Sequence, residues 1–367
     1  MNFHPEDIKF MKKALSLAKR GTGIVSPNPL VGSVIVKNHK IIASGYHKGF
    51  KKPHAEAEAL KKVGKKAKGA TIYVNLEPCC HWGNNPPCVK LIIEAGIKRV
   101  VYAMNDPNPL VKKCSTPSIL KQAGIEVLQG VLETEAKKLN EIFSKYIVQK
   151  KPFITLKMAQ TLDGRIADRF GNSKWISNEL SRDVVQQLRF QHDAILAGIG
   201  TILKDDPTLT IRLKNKNKAL TKIIVDQHGQ APQNAKLYNT QEPIIFITQK
   251  MYEKKYTNLQ DLYKNISVLY FDLKNQSFNF DKIWLELGKL NITSILVEGG
   301  SQIAFSLMVQ QLIDKFVIFV APKVMGDNKA LAIFNGERQI SINDAQQLRL
   351  SSIKRLGDDM MLEYYPS

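Results

Sequence analysis

Three short segments carry residues whose types and spacing could do chemistry: His54-Ala55-Glu56, Pro78-Cys79 and Pro86-Pro87-Cys88. One imidazole and two thiolates supply three of the four donors that zinc takes, and a catalytic site keeps the fourth position open for water. Zinc lowers the pKa of such a water from about 16 to roughly 7, so a nucleophile is available at neutral pH. Glu56 follows His54 by two residues and is the natural proton carrier beside that water. Pro53 favours a first helical turn, and residues 55–63 are rich in helix formers. Residues two apart inside a helix point about 200° apart, so His54 is expected at the cap. Pro78 is expected to place Cys79 at a helix start, where the dipole favours a thiolate.

The H-x-E…P-C arrangement resembles that of the zinc deaminases. The expected reaction is hydrolysis of an amino group from a pyrimidine-like ring. In the general pattern the cysteines stand three apart; here they stand nine apart, with Cys80-His81-Trp82-Gly83-Asn84-Asn85-Pro86-Pro87 between them.

These donors need a scaffold. Apolar Ile8, Met11, Leu15 and Ala18 have the spacing of an amphipathic helix over 5–20, stopped by Gly21. Ser26-Pro27-Asn28-Pro29 is a turn, and strands are expected at 31–36, 41–46, 71–75, 99–103 and 126–128. Helices are expected at 54–63, 89–95, 116–123 and 133–148. Alternation of strand and helix implies a mainly parallel sheet with helices on its faces, and ligands collect at the strands' carboxyl ends. Lys150-Lys151-Pro152 is the expected boundary between domains 1–148 and 152–367. Beyond it, strands are expected at 153–158, 194–197, 222–226, 244–248, 267–271, 294–297 and 316–320, with helices at 178–191 and 302–312. Residues 213–218 and 228–236 are expected as loops; 250–265 is polar and unassigned.

The chain has 367 residues, too long for one ordinary core. No apolar run approaches the roughly 20 residues a membrane helix needs, and Met1–Asp7 has neither the basic nor the apolar region of a signal peptide. Four cysteines, two of them metal donors, argue for a reducing cytoplasm, with Cys80 and Cys114 as free thiols. The net charge is +20; residues 1–146 hold 24 Lys+Arg against 11 Asp+Glu, and the rest 29 against 22. That balance suits anionic partners. Lysine clusters such as Lys61-Lys62 and Lys65-Lys66, however, read as solvated helix ends.

Two glycine-bearing turns in the second half follow strands. Glu298-Gly299-Gly300-Ser301 opens a helix whose bare amides form an anion site, and Gly198-Ile199-Gly200-Thr201 is expected as a loop allowing close backbone approach. Neither fits G-x-G-x-x-G. Arg189, Asp205, Asp206 and Arg212 lie nearby, so the residues give an anion-binding α/β domain.

Ser26–Gly32, Gly45-Tyr46-His47, Pro53–Glu56, the Cys79–Cys88 loop and Asp106-Pro107-Asn108-Pro109 together resemble the bifunctional deaminase–reductase family of riboflavin biosynthesis. In the second half Thr155–Lys157, Leu162–Gly164, Ser173–Ile176, Asp205–Pro207, Leu209–Arg212 and Val297–Gly300 carry the likeness, in order along essentially the whole chain. The resemblance implies an N-terminal three-layer α/β domain similar to cytidine deaminases and a C-terminal α/β domain similar to dihydrofolate reductase. It implies zinc-dependent deamination of 2,5-diamino-6-(5-phosphoribosylamino)pyrimidin-4(3H)-one, then NADPH-dependent reduction of the ribosyl group to ribityl. His54, Cys79 and Cys88 would hold zinc and Glu56 would shuttle protons; Asn28, His47 and His81 would contact the pyrimidine. Lys157, Ala159, Trp175, Thr201, Asp205, Gly299 and Gly300 would face NADPH. Ser173, Arg189, Leu209, Arg212 and Glu298 would hold the phosphoribosyl substrate, the arginines because a guanidinium pairs bidentately with phosphate. A cytoplasmic homo-oligomer acting on phosphoribosylated pyrimidines, with no nucleic-acid or membrane partner, is expected. A tRNA-editing deaminase would carry the short cysteine spacing and no reductase-like extension.

Departures from the family pattern touch substrate affinity. Asn84 and Asn85 stand where the family has a basic residue and threonine, leaving Lys51 or Lys90 for the phosphate. Lys112-Lys113-Cys114-Ser115 replaces glycines, and Gln230 stands where an arginine is common.

Overall fold

The computed structural model describes residues 3–82, 86–112, 114–214, 216, 218–337 and 341–367. The chain divides into two compact units, Met1–Lys150 and Lys151–Ser367. Asn84, Asn85 and Lys113 lie outside the described residues.

In the first unit, strands β1 (Gly32–Lys37), β2 (Lys40–Tyr46), β3 (Thr71–Leu76), β4 (Arg99–Met104) and β5 (Glu126–Gln129) form one sheet in the order β2-β1-β3-β4-β5. β1 runs antiparallel to both neighbours, and β3, β4 and β5 are parallel. The sheet is therefore mixed, because β1 and β2 are joined by a tight turn and only the later strands by helices. Helices α1 (Pro5–Ala18), α2 (Ala55–Val63), α3 (Cys88–Glu94), α4 (Thr116–Gln122), α5 (Glu133–Leu139) and α6 (Glu141–Gln149) surround it.

Two glycines let helices touch the sheet. A Cβ at Gly32 would lie 2.2 Å from the Ala14 carbonyl of α1, and one at Gly45 would lie 2.5 Å from the Ala55 carbonyl of α2. α2 is thus pressed onto the sheet at the turn that carries His54 and Glu56. The Arg99 guanidinium clasps the buried Asp7 carboxylate at 2.7 and 3.0 Å, and the Tyr73 hydroxyl donates to it at 2.8 Å. Burial alone would raise the pKa of Asp7, but these partners hold it below its ordinary value.

The single helix expected over 133–148 is broken at Asn140. Its amide accepts from the Leu30 N–H and donates to the Leu30 carbonyl, while buried Asn75 donates to that carbonyl and accepts from Gly32 N–H. A backbone loop is thereby pinned by two side-chain amides, which a periodicity argument does not see.

The second unit is a nine-stranded sheet. Its strands are β6 (Phe153–Thr161), β7 (Ala194–Gly198), β8 (Thr221–Val225), β9 (Ile244–Thr248), β10 (Ile266–Tyr270), β11 (Ser294–Glu298), β12 (Lys315–Ala321), β13 (Leu348–Leu356) and β14 (Asp359–Pro366). Their order is β10-β9-β8-β7-β11-β6-β12-β14-β13, with β14 alone running against the others. Helices α7 (Glu179–Gln191), α8 (Ile199–Asp205), α9 (Glu253–Leu262), α10 (Phe280–Lys289) and α11 (Ser301–Val309) complete the unit. The expected loop 198–201 is the entry to α8, and the unassigned stretch 250–265 contains α9. Asn178 caps α7 by accepting from the Ser181 N–H. Among the described residues no helix is long and apolar enough to cross a membrane.

His192 ties the end of α7 to the sheet. Its Nδ1–H donates to the Leu188 carbonyl at 2.7 Å, and Nε2 accepts from the Thr155 hydroxyl at 2.8 Å. Burial pushes its pKa down to about 4. An unfolded histidine titrates near ~6.5, so between there and about pH 4 only the unfolded chain takes the proton. We predict that this unit loses up to about 3 kcal/mol as pH falls through that window, measured by urea unfolding. His192→Gln should flatten the slope, and an unchanged slope in the variant would contradict the assignment.

Candidate functional site

His54 is the N-cap of α2 in extended backbone, as its spacing from Glu56 requires, and Glu56 falls in the first turn, 4% exposed. Cys79 lies in the loop after β3 rather than at a helix start. Cys88 instead opens α3, behind Pro86-Pro87. The dipole still reaches Cys79: the Cys88 N–H donates to its Sγ at 3.3 Å, and the Val89 N–H to its carbonyl at 3.1 Å.

His54 Nδ1 lies 3.3 Å from Cys88 Sγ and 3.6 Å from Cys79 Sγ. The three ligand atoms fall within 4.8 Å of one another, the one such group among the described residues. Donor types and convergence fit zinc. The hydrogen bond between the two thiols lowers the pKa of Cys79, and the same bond with burial raises that of Cys88. The contact with Cys79 raises His54. Burial pushes the Glu56 carboxyl up, so it holds a proton more readily than an exposed glutamate.

Asn28 and His47 join this centre. Asn28 Nδ2 is 3.0 Å from His47 Nε2, His47 Nδ1 is 3.0 Å from the Pro53 carbonyl, and the His47 and His54 rings meet edge-on with centroids 5.8 Å apart. Burial lowers the pKa of His47, which favours a neutral ring able to bond a substrate. His81 Nδ1 is buried without a hydrogen-bond partner among the described residues. Asp106, at the end of β4, is pushed up to about 6 by burial. Cys80 and Cys114 are not free thiols: they form a disulfide. Lys90 sits on α3 beside Glu94, and Lys51 over the Phe50 ring.

In the second unit a cleft of about 730 Å³ opens where β6, β7, β8 and β11 end. Lys157, Ala159, Ser173, Trp175, Arg189, Thr201, Asp205, Arg212, Glu298, Gly299 and Gly300 all line it. Gly299 and Gly300 have φ of +94° and +81°, and a Cβ on Gly299 would come within 3.3 Å of Thr201 Oγ1. This bare backbone, with a long cleft beside it, fits a dinucleotide. Leu209 is the exception: the residue is 4% exposed, packs in a core cluster and does not line the cleft.

Arg189 differs from the sequence expectation in partner. Its Nε and Nη2 donate to the two Glu298 oxygens at 2.7 and 2.9 Å, and Nη1 donates to the Thr210 carbonyl at 2.8 Å. The fork expected for phosphate is thus spent on Glu298. Arg212 has no carboxylate partner among the described residues. Lys157, opposite Glu298 in the β6–β11 register, is half-buried at the cleft, and desolvation lowers its pKa despite the attraction of Glu298. Sequence reasoning missed Arg182, whose guanidinium stands 4.6 Å from the Trp175 ring centre. The signal was there: it precedes Arg189 by seven residues, two turns on one face of α7.

Fold and site together define a zinc deaminase joined to a nucleotide-dependent reductase. The profile of the cytidine and deoxycytidylate deaminase zinc-binding region matches residues 4–104, and that of the RibD C-terminal domain matches residues 152–362. The riboflavin biosynthesis protein RibD of Aquifex aeolicus is 45% identical over 97% of both chains, and that of Actinobacillus pleuropneumoniae 38% identical over 98% of this chain and 95% of its own. The crystal structure of a diaminohydroxyphosphoribosylaminopyrimidine deaminase/5-amino-6-(5-phosphoribosylamino)uracil reductase from Thermotoga maritima superposes with a TM-score of 0.87 at 36% identity, over 99% of each chain. The chain belongs to the RibD family. It is a bifunctional enzyme with zinc and NADPH as cofactors.

The pairing around Glu298 generates a contrast. Glu298→Gln leaves a buried guanidinium uncompensated and should cost about 3 kcal/mol of stability. Arg212→Ala should leave stability within about 0.5 kcal/mol and raise the reductase KM. Equal stability losses in denaturant titrations, or an unchanged KM for Arg212→Ala, would contradict these roles.

Proposed function

We propose that residues 1–148 deaminate 2,5-diamino-6-(5-phosphoribosylamino)pyrimidin-4(3H)-one and residues 152–367 then reduce the deaminated ribosyl compound to its ribityl form. The observation that carries the first step is the convergence of His54, Cys79 and Cys88 beside Glu56. Zinc held there supplies the Lewis acidity that makes water a nucleophile at neutral pH. Glu56 is placed to take a proton from a water at that site and pass it to the ring nitrogen, then to carry the proton of the added hydroxyl to the amino group, which leaves as ammonia. Its raised pKa suits a group that must both take and give. Asn28, His47 and His81 orient the pyrimidine.

In the reductase, NADPH held in the cleft would supply the hydride that reduces the sugar. Ala159, Trp175, Thr201, Asp205, Gly299 and Gly300 form its berth, and Arg182 steadies the Trp175 ring. Arg212 and Ser173 grip the phosphoribosyl group, and the Arg189–Glu298 pair forms the floor. Lys157, half-buried with its pKa lowered by desolvation, is the group placed to hand a proton to the ring oxygen as the sugar opens. The substrates are phosphoribosylated pyrimidines rather than nucleic acid, and the setting is cytoplasmic, where the cofactor is kept reduced. A homo-oligomer fits the exposed Leu348, Leu350 and Ile353 on edge strand β13.

The test supplies the diaminopyrimidine ribotide with and without NADPH. Ammonia should appear without NADPH, and NADPH should be consumed only after deamination. Glu56→Gln should keep its zinc, lose deaminase turnover by on the order of 10³-fold, and still reduce pre-deaminated substrate. Ordinary deaminase turnover in that variant would refute the role of Glu56.

A further inference from the structure

The proposed chemistry uses neither Cys80 nor Cys114, yet the structure joins them. Their Cα atoms are 6.3 Å apart across 34 residues of chain. Cys80 directly follows the donor Cys79. On the other side of that donor, the buried Thr116 hydroxyl donates to the Pro78 carbonyl at 3.0 Å. The three-residue loop 78–80 is therefore fastened at both ends to one segment, 114–116, where Ser115 caps α4. One fastening is a hydrogen bond between buried groups; the other is a covalent bond between two partly exposed cysteines. Cys88, by contrast, is fully buried. An exchanging thiol or disulfide would reach the first pair sooner than that donor.

We propose that Cys80–Cys114 is a reversible disulfide that sets how firmly the Cys79 loop is held against the metal. The proposal rests on the reading of His54, Cys79 and Cys88 as a zinc site. Formation follows ordinary exchange: one thiolate attacks the disulfide of a small thiol or a protein dithiol and expels one sulfur. The second cysteine then attacks the mixed disulfide and expels the other. Two cysteine thiols are oxidised, one external disulfide is reduced to two thiols, and protons pass from the former to the latter. The oxidised loop cannot swing away from Cys88 without carrying α4 along. The reduced loop loses its covalent tie to segment 114–116 while keeping the Thr116 hydrogen bond, and opens locally more often.

The experiment uses the full-length, zinc-loaded enzyme equilibrated in reduced or oxidised glutathione. Alkylation and peptide mass spectrometry read the state of Cys80 and Cys114, and transfer of zinc to a chromogenic chelator reads metal retention. The oxidised protein should contain the Cys80–Cys114 cross-link and release zinc on the order of tenfold more slowly. Cys114→Ser should release it at the reduced rate in both buffers. Both cysteines alkylated in the oxidised buffer, or a cross-link that leaves release unchanged, would overturn this proposal alone. Protein that holds no zinc in either state would overturn the metal reading and this proposal with it, while the mass spectra would still report the cross-link.

Discussion

The convergence of two helix starts on the carboxyl end of one strand is the constraint from which the rest of the first unit follows. His54 caps α2, Cys88 opens α3, and Cys79 leaves β3 between them. Each position solves a local problem. The cap frees His54 from the helical direction imposed on Glu56, and the free N–H groups of α3 stabilise negative charge on Cys79. Gly32 and Gly45 matter because they let helices lie close enough to the sheet for these starts to meet. A side chain at Gly45 would displace the very turn that carries the proton carrier.

The second unit solves a different electrostatic problem. A cleft that must accept a phosphorylated sugar and a phosphorylated cofactor needs cations, yet a buried cation is costly unless paired. Arg189 is paired with Glu298 and becomes part of the floor. Arg212, at the cleft wall, has no carboxylate partner among the described residues, and the pKa of Lys157 is lowered by desolvation despite Glu298. Three basic residues, similar on paper, thus take three roles set by what each one faces.

Much of this was legible in the chain. The helix from Pro5, the strands flanking the ligand loop, the cap position of His54 and the donor set follow from periodicity, proline placement and residue chemistry. The cleft residues other than Leu209 were reached through family likeness, since Gly-Gly and Gly-x-Gly turns alone do not specify a cofactor. What escaped depends on long-range contacts. The break at Asn140 is made by a bond to Leu30, 110 positions earlier. Helix α10 and the β13–β14 hairpin went unassigned; β13 is largely exposed and shows little alternation. The Cys80–Cys114 bond was invisible because cysteine counting argues from compartment, whereas pairing depends on where two loops meet.

Deamination depends on a zinc ion with three protein donors and one position left for water. X-ray absorption at the zinc edge of the purified enzyme measures that shell directly. Two sulfur scatterers near ~2.3 Å and two lighter N/O scatterers near ~2.0–2.1 Å are the predicted result. Three or four sulfurs, which would draw Cys80 or Cys114 into the shell, or protein with no bound zinc, would contradict it.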